Sequence, residues 1–180
     1  IYMDKGMLKE AQLEFARAIS IEPNDPFTLN NMGKLLVLQE HTEEGIEYFK
    51  KAIGVQPDYA YAHYNLGKAF RELKLYPQAI FHLLFCIKYE PEDVYAVNRL
   101  GRTFLDAGLQ EKALETFQQV LDTLDSNDAY AFYGLAETYE ALGNYEAALV
   151  HYQKIRAVAA NNKVLLDRAE EKIRKIRSGR

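Results

Sequence analysis

The chain has 180 residues, 48% hydrophobic and 27% charged, which fits a globular protein with enough apolar material for a continuous core. A formal charge of −4 and a pI near 5.6 speak against nucleic acid or anionic membrane as default partners, because both need a net basic face. The lone cysteine, Cys86, precludes an intrachain disulfide, and no apolar run reaches the roughly 18 residues needed to span a bilayer.

Residues 1–25 read as the end of one helix followed by a complete second helix over 9–22, with Leu13, Phe15 and Ile19 on it. The stretch Pro23-Asn24-Asp25-Pro26 stops that helix and starts the next. Ile46, Phe49, Ala52 and Ile53 form one apolar stripe at helical spacing, and Leu66, Phe70 and Leu73 form another. Pro77 suits a first helical turn, where its missing N–H costs nothing. Pro91-Glu92-Asp93 marks the next break. Residues 163–177 read as a last helix with Leu165, Ala169, Ile173 and Ile176 on one side. Lys172, Arg174, Lys175 and Arg177 surround that stripe, and cations in a last turn suit the negative end of a helix dipole.

One period runs through these elements. Gly33, Gly67 and Gly101 recur every 34 residues, as do Pro23, Pro57 and Pro91. Ala11, Gly45, Ala79 and Ala113 form a third column, and Phe15, Phe49, Leu83 and Phe117 a fourth. A fixed period of this size marks stacked supersecondary units, each of two helices, none of which buries its apolar face alone. Small residues on both helices allow close approach, while Phe49, Phe104 and Tyr152 fill the space between units.

Leu66-Gly67, Phe70, Ala79, Leu83, Cys86 and Pro91 resemble the tetratricopeptide signature. The resemblance implies an all-α fold, a right-handed α-solenoid of antiparallel helix pairs. Units are expected at 26–59, 60–93, 94–128 and 129–162, after a partial repeat at 1–25 and before a capping helix at 163–180. The third complete unit has one residue more than the others, with Asp125 where a closing proline is expected, and the extra residue is expected in the turn Asp125–Asp128. Ala136 replaces the glycine of the last unit. Because Ile1 falls inside a unit, the chain reads as a fragment. The thinly covered helix 9–22 is expected to support weak self-association.

No catalytic, metal or cofactor pattern stands out. His41, His63, His82 and His151 do not pair with one another or with a carboxylate at metal-ligand spacing on one helix face. They read as surface or packing residues. Cys86 stands in a column occupied by Ala18 and Ala52 and reads as a small buried side chain. The glycines lie at repeat spacing and form no phosphate loop. The expectation is a chain that is not an enzyme and has no cofactor.

In the family resembled, ligands lie in a concave groove lined by the first helix of each pair. Carried onto this chain, the groove offers Phe27, Asn30, Asn31, Lys34, Val37 and Leu38, then Tyr61, Tyr64, Asn65, Lys68, Arg71 and Glu72. The next unit offers Tyr95, Asn98, Arg99, Arg102, Leu105 and Asp106, and the last reverses the charge with Glu137 and Glu140. The residues taken as peptide-binding are Asn30, Asn31, Lys34, Tyr61, Tyr64, Asn65, Lys68, Arg71, Tyr95, Asn98, Arg99 and Arg102. Asparagine both donates and accepts, so it can hold the backbone of an extended peptide, as in relatives this set resembles. The cations favour an acidic peptide or a terminal carboxylate, and tyrosine adds contact area at low entropy cost.

The partner expected is therefore a protein or peptide of acidic character, with no nucleic acid and no direct membrane insertion. The carboxylate clamp of chaperone-binding relatives is matched only at Asn65 and Arg99. A 34-residue period and an acidic pI set the chain apart from nucleic-acid-binding pentatricopeptide arrays. A self-assembling scaffold and an accessory module of a larger enzyme are the competing readings. A cytoplasmic location is favoured, while a periplasmic or membrane-tethered one requires a segment upstream of Ile1.

Overall fold

A computed structural model describes residues 7–179, which form ten α-helices and no strand. The helix end expected at the very start of the chain lies outside the described residues. The chain divides into two compact units, Ile1–Pro91 and Glu92–Arg180. The first holds α1 (Leu8–Ile21), α2 (Pro26–Leu38), α3 (Thr42–Val55), α4 (Ala60–Glu72) and α5 (Tyr76–Tyr89). The second holds α6 (Val94–Asp106), α7 (Gln110–Gln119), α8 (Ala129–Ala141), α9 (Tyr145–Val158) and α10 (Lys163–Arg177).

Local chemistry sets the helix ends. The carboxylate of Asp25 accepts from the backbone N–H of Thr28 at 2.9 Å and from the Thr28 hydroxyl, and these bonds hold its pKa below the usual carboxylate range. Asp93, Asp128, Asn144 and Asn162 cap α6, α8, α9 and α10 in the same manner. Each first helix ends in a Schellman motif. His41, Leu75, Leu109 and Asn144 donate their N–H to Leu36, Phe70, Phe104 and Tyr139 at 2.8–2.9 Å. The residue before each donor is left-handed. Gly108 and Gly143 take that conformation without penalty, while Glu40 (φ 67°) and Lys74 (φ 60°) are held there against their Cβ.

Within the two hairpins of the first unit the helices touch backbone to backbone where the small columns meet. A methyl group on Gly33 would stand 2.9 Å from the Gly45 carbonyl oxygen, and one on Gly45 would stand 2.8 Å from that of Gly33. In the first unit Ile46, Phe49, Leu66 and Ala69 form one core cluster between α3 and α4, lined by Phe70 and Leu73. Phe15 and Ile19 of α1 pack against Met32, Leu35 and Leu36, so only Leu13 of the three apolar residues first noted on that helix is exposed. In the second unit Leu165, Ala169 and Ile173 of α10 are buried with Tyr152 and Ile155. Burying one such side chain contributes about 1.5–3 kcal/mol.

The extra residue of the 94–128 stretch is not in the turn where it was expected. The turns Glu22–Asp25, Gln56–Tyr59, Asp125–Asp128 and Ala159–Asn162 have one length and one bond. The N–H of the last residue meets the carbonyl of the first at 2.8–3.3 Å. Instead α7 runs into a π-helical turn, Val120–Leu124, whose wide ring is closed by Asp125 N–H to Val120 O at 2.8 Å. A single inserted residue widens a helix this way without moving either flank. Val120 thereby stays in the buried column of Ala52 and Cys86, and Ser126, not Asp125, takes the place of the closing proline. Deleting the exposed Thr123 is therefore expected to convert the π turn to plain α-helix and shift stability by less than about 1 kcal/mol. A deletion inside the turn at Asn127 is expected to cost several times that, because it removes the spacing behind the Asp128 cap. Urea unfolding of the two deletions compares them directly, and equal losses would contradict this placement.

Candidate peptide-binding face

In the first unit the proposed residues lie on α2 and α4, which touch each other. Phe27 and Tyr61 stand out at the start of each helix, 57% and 62% exposed. Asn30 is buried; its side-chain oxygen accepts from Asn65 Nδ2 at 2.8 Å, and it is also hydrogen-bonded to the Tyr59 side chain. Asn31, Tyr64 and Lys68 are half-buried and Lys34 is exposed. Lys68 lies 3.9 Å from Glu72, an exposed pair of little energetic weight. Arg71 is half-buried and engaged with a neighbouring group.

In the second unit the residues lie on α6, which packs beside α8. Tyr95 is 75% exposed and Tyr130, at the equivalent place on α8, 53%. Asn98 donates to Asp128 Oδ1 at 2.8 Å, while its own oxygen is buried without a partner, as is Nε of Arg99. Arg102 is ion-paired with Glu137 and lies 3.4 Å from Asp106. Glu140 accepts from Lys172 Nζ at 2.9 Å and from the Tyr152 hydroxyl, whose pKa burial pushes far up.

These contacts divide the twelve residues. Asn30 and Asn98 tie a first helix to the residue capping the next one, Tyr59 or Asp128, and this holds the stack together. Arg102 is spent on α8. Lys34, Asn31 and Tyr61 in the first unit, with Tyr95 and the half-buried Arg99 in the second, keep surface for a ligand. Repeat position alone does not show which asparagine is spent. The signal was the conjunction of Asn98 with an Asp 30 residues on.

Two of the histidines read from the sequence as unpaired surface or packing residues form a pair across two helices. Nδ1 of His63 on α4 lies 2.9 Å from Nδ1 of His82 on α5. Nε2 of His63 is 3.1 Å from the Pro57 carbonyl oxygen, which can only accept, so that nitrogen carries the proton. His63 Nδ1 then accepts and His82 Nδ1–H donates. His63 stacks on Phe85 at 4.1 Å and His82 faces Phe70 and Phe81. Burial lowers the proton affinity of both rings, His82 to a pKa of about 4 with help from His63 and Lys50. Among the described residues no group of three or more His, Cys, Asp or Glu is placed to hold a metal ion, and no helix is long and apolar enough to cross a membrane.

Comparison with known structures returns the same architecture. MamA from Desulfovibrio magneticus RS-1 superposes with a TM-score of 0.81 at 23% identity, over 90% of this chain and 91% of that one. YrrB, described as a TPR protein with an unusual peptide-binding site, superposes with a TM-score of 0.74 at 22% identity, over 94% and 87%. A sequence comparison with curated proteins finds no match. Family profiles described as TPR repeat or tetratricopeptide repeat match residues 1–25, 33–74 and 99–162. With the recurring helix hairpins above, these matches place the chain in the tetratricopeptide-repeat family, a family of protein-interaction modules.

Proposed function

We propose that each unit binds an extended, acidic peptide or partner segment along the first-helix faces of its own hairpins. The observation that carries this reading is the column of exposed aromatics that opens each first helix, Phe27, Tyr61, Tyr95 and Tyr130. Phe27 and Tyr61 pack edge-on against Tyr59 and the Tyr130 hydroxyl accepts from Asn162, yet each ring keeps more than half its surface in solvent, where it supplies rigid contact area to a ligand. Lys34, which has no ion-pair partner among the described residues, and Arg99 supply the positive charge. Asn31 and Asn65 retain hydrogen-bonding capacity for a peptide backbone, each bond giving about 0.5–1.5 kcal/mol net. Asn30 and Asn98 act one layer below, fixing the helices that carry the face.

The test uses substitutions at exposed positions so that folding is preserved. Wild-type chain and a Lys34→Glu, Tyr61→Ala, Tyr95→Ala variant, matched in melting temperature, serve as baits in lysate of the source cells. Partners retained are identified by mass spectrometry and re-measured as purified segments. The variant is expected to weaken the leading partner at least about tenfold, as loss of two aromatic contacts and a charge implies. Equal retention by both baits removes the first-helix faces as the site.

A further inference from the structure

We infer that the solvent-facing side of α5 is a second docking surface, whose partner is an amphipathic helix with acidic flanks. The repeat register carries the argument. Three positions on each second helix face water: α3 places Glu47, Lys50 and Lys51 there, and α7 places Glu115, Gln118 and Gln119. On α5 the same three positions hold Phe81, Leu84 and Phe85, the last of them half-buried. Phe81 is 60% exposed, Leu84 51%, and Tyr89, one turn beyond Phe85, 42%. On α1 and α9 only the first of the three places holds a large apolar side chain, Leu13 and Val150, and α3 and α7 have none, so the full apolar set belongs to α5 and is not needed by the hairpin fold. A cluster of exposed rings on one helix marks a contact surface.

The spacing of the patch selects the partner's shape. Phe81, Phe85 and Tyr89 recur every four residues, with Leu84 three residues after Phe81, a ridge that fits the groove of another helix. The rings are also braced from below, Phe85 by His63 at 4.1 Å and Phe81 by His82 at 5.1 Å. Rigid, pre-placed aromatics lose little freedom on binding.

The border of the patch selects the partner's charge. Lys88 Nζ lies over the Phe85 and Tyr89 rings at 5.7 and 5.3 Å. Lys50 of α3 occupies the place of Leu84 one repeat earlier, and its exposed pairing with Glu47 at 2.8 Å is easily exchanged. Carboxylates flanking the partner's apolar stripe meet both ammonium groups. This surface is separate from the first-helix faces and does not depend on them.

Two fluorescein-labelled model helices of about five turns test the inference by anisotropy against the whole chain. Both carry one leucine stripe, flanked in one by glutamate and in the other by lysine. The glutamate helix is expected to bind at least about tenfold more tightly than the lysine helix. Phe81→Ser with Leu84→Glu, matched in melting temperature, is expected to weaken it by at least about tenfold, and Lys34→Glu with Tyr61→Ala to leave it unchanged. Equal binding of both helices, no binding of either, or binding untouched by the α5 substitutions overturns the inference. So does a concentration-dependent dimer in sedimentation that Leu84→Glu abolishes, which assigns the face to a second copy. Adsorption to phosphatidylserine vesicles without helix binding assigns it to a lipid surface and overturns it equally.

Discussion

Phe117→Ala is expected to destabilise the second unit by about 3–5 kcal/mol, the range for truncating a buried phenylalanine. Phe117 is 2% exposed and lies between two helices that both present glycine to it. A methyl group on Gly101 would fall 2.8 Å from its ring, and one on Gly134 2.3 Å. The ring therefore rests directly on the backbones of α6 and α8. When it is removed, no side chain at either glycine can swing in, and the backbones are held apart by their other contacts, so a cavity remains. Phe117→Leu is expected to be far milder, because Leu83 does the same work under Gly67 in the first unit. The measurement is equilibrium urea unfolding followed by helical circular dichroism. Repeat units unfold semi-independently, so the transition assigned to the second unit is the one to compare. A loss below about 1 kcal/mol for Phe117→Ala would show that the hairpins close over the gap.

The same contact explains why so much of the fold was legible. The glycine column and the aromatic column are two sides of one requirement, that a ring from a second helix lie on a first-helix backbone. Strict spacing follows, and spacing is what a single sequence displays. The extra residue between Ala113 and Ala148 was equally visible as a count, but its place was not. Asp125-Ser126-Asn127-Asp128 has the composition of an accommodating turn. In fact its length is fixed by the Asp128 cap and the Asp128–Asp125 hydrogen bond, so the helix had to yield. The candidate face was legible as positions and residue types. Its internal economy was not, because Asn30 and Arg102 are consumed by partners more than 30 residues away, Asn65 and Glu137. Such pairings obey no helical period.

The His63–His82 pair belongs to that second kind and leads to the other large effect. Above about pH 6.5 both imidazoles are neutral in the folded and unfolded chain alike, and the stability tied to the pair is fully present. Below that the unfolded chain takes up protons that the buried rings resist, His82 down to about pH 4. The unfolded state then binds more protons, so stability falls as pH falls. His63 and His151 are lowered for the same reason, burial, and act in the same direction. Because His82 is only partly buried, the loss assigned to the pair is roughly 1–2 kcal/mol between about pH 7 and about pH 4.5. Carboxylates begin to titrate in that window too, so a matched comparison is needed. The neighbouring hairpin provides it, for Leu29 and Tyr48 occupy the two equivalent positions and pack together. The variant His63→Leu with His82→Tyr copies that apolar pair into α4 and α5. It is expected to unfold at a urea concentration that shifts less with pH than wild type, by the amount given above. If wild type and variant lose stability in parallel as the solution is acidified, the shared proton plays no part. The carboxylate caps, Asp25 foremost, would then account for the acid sensitivity.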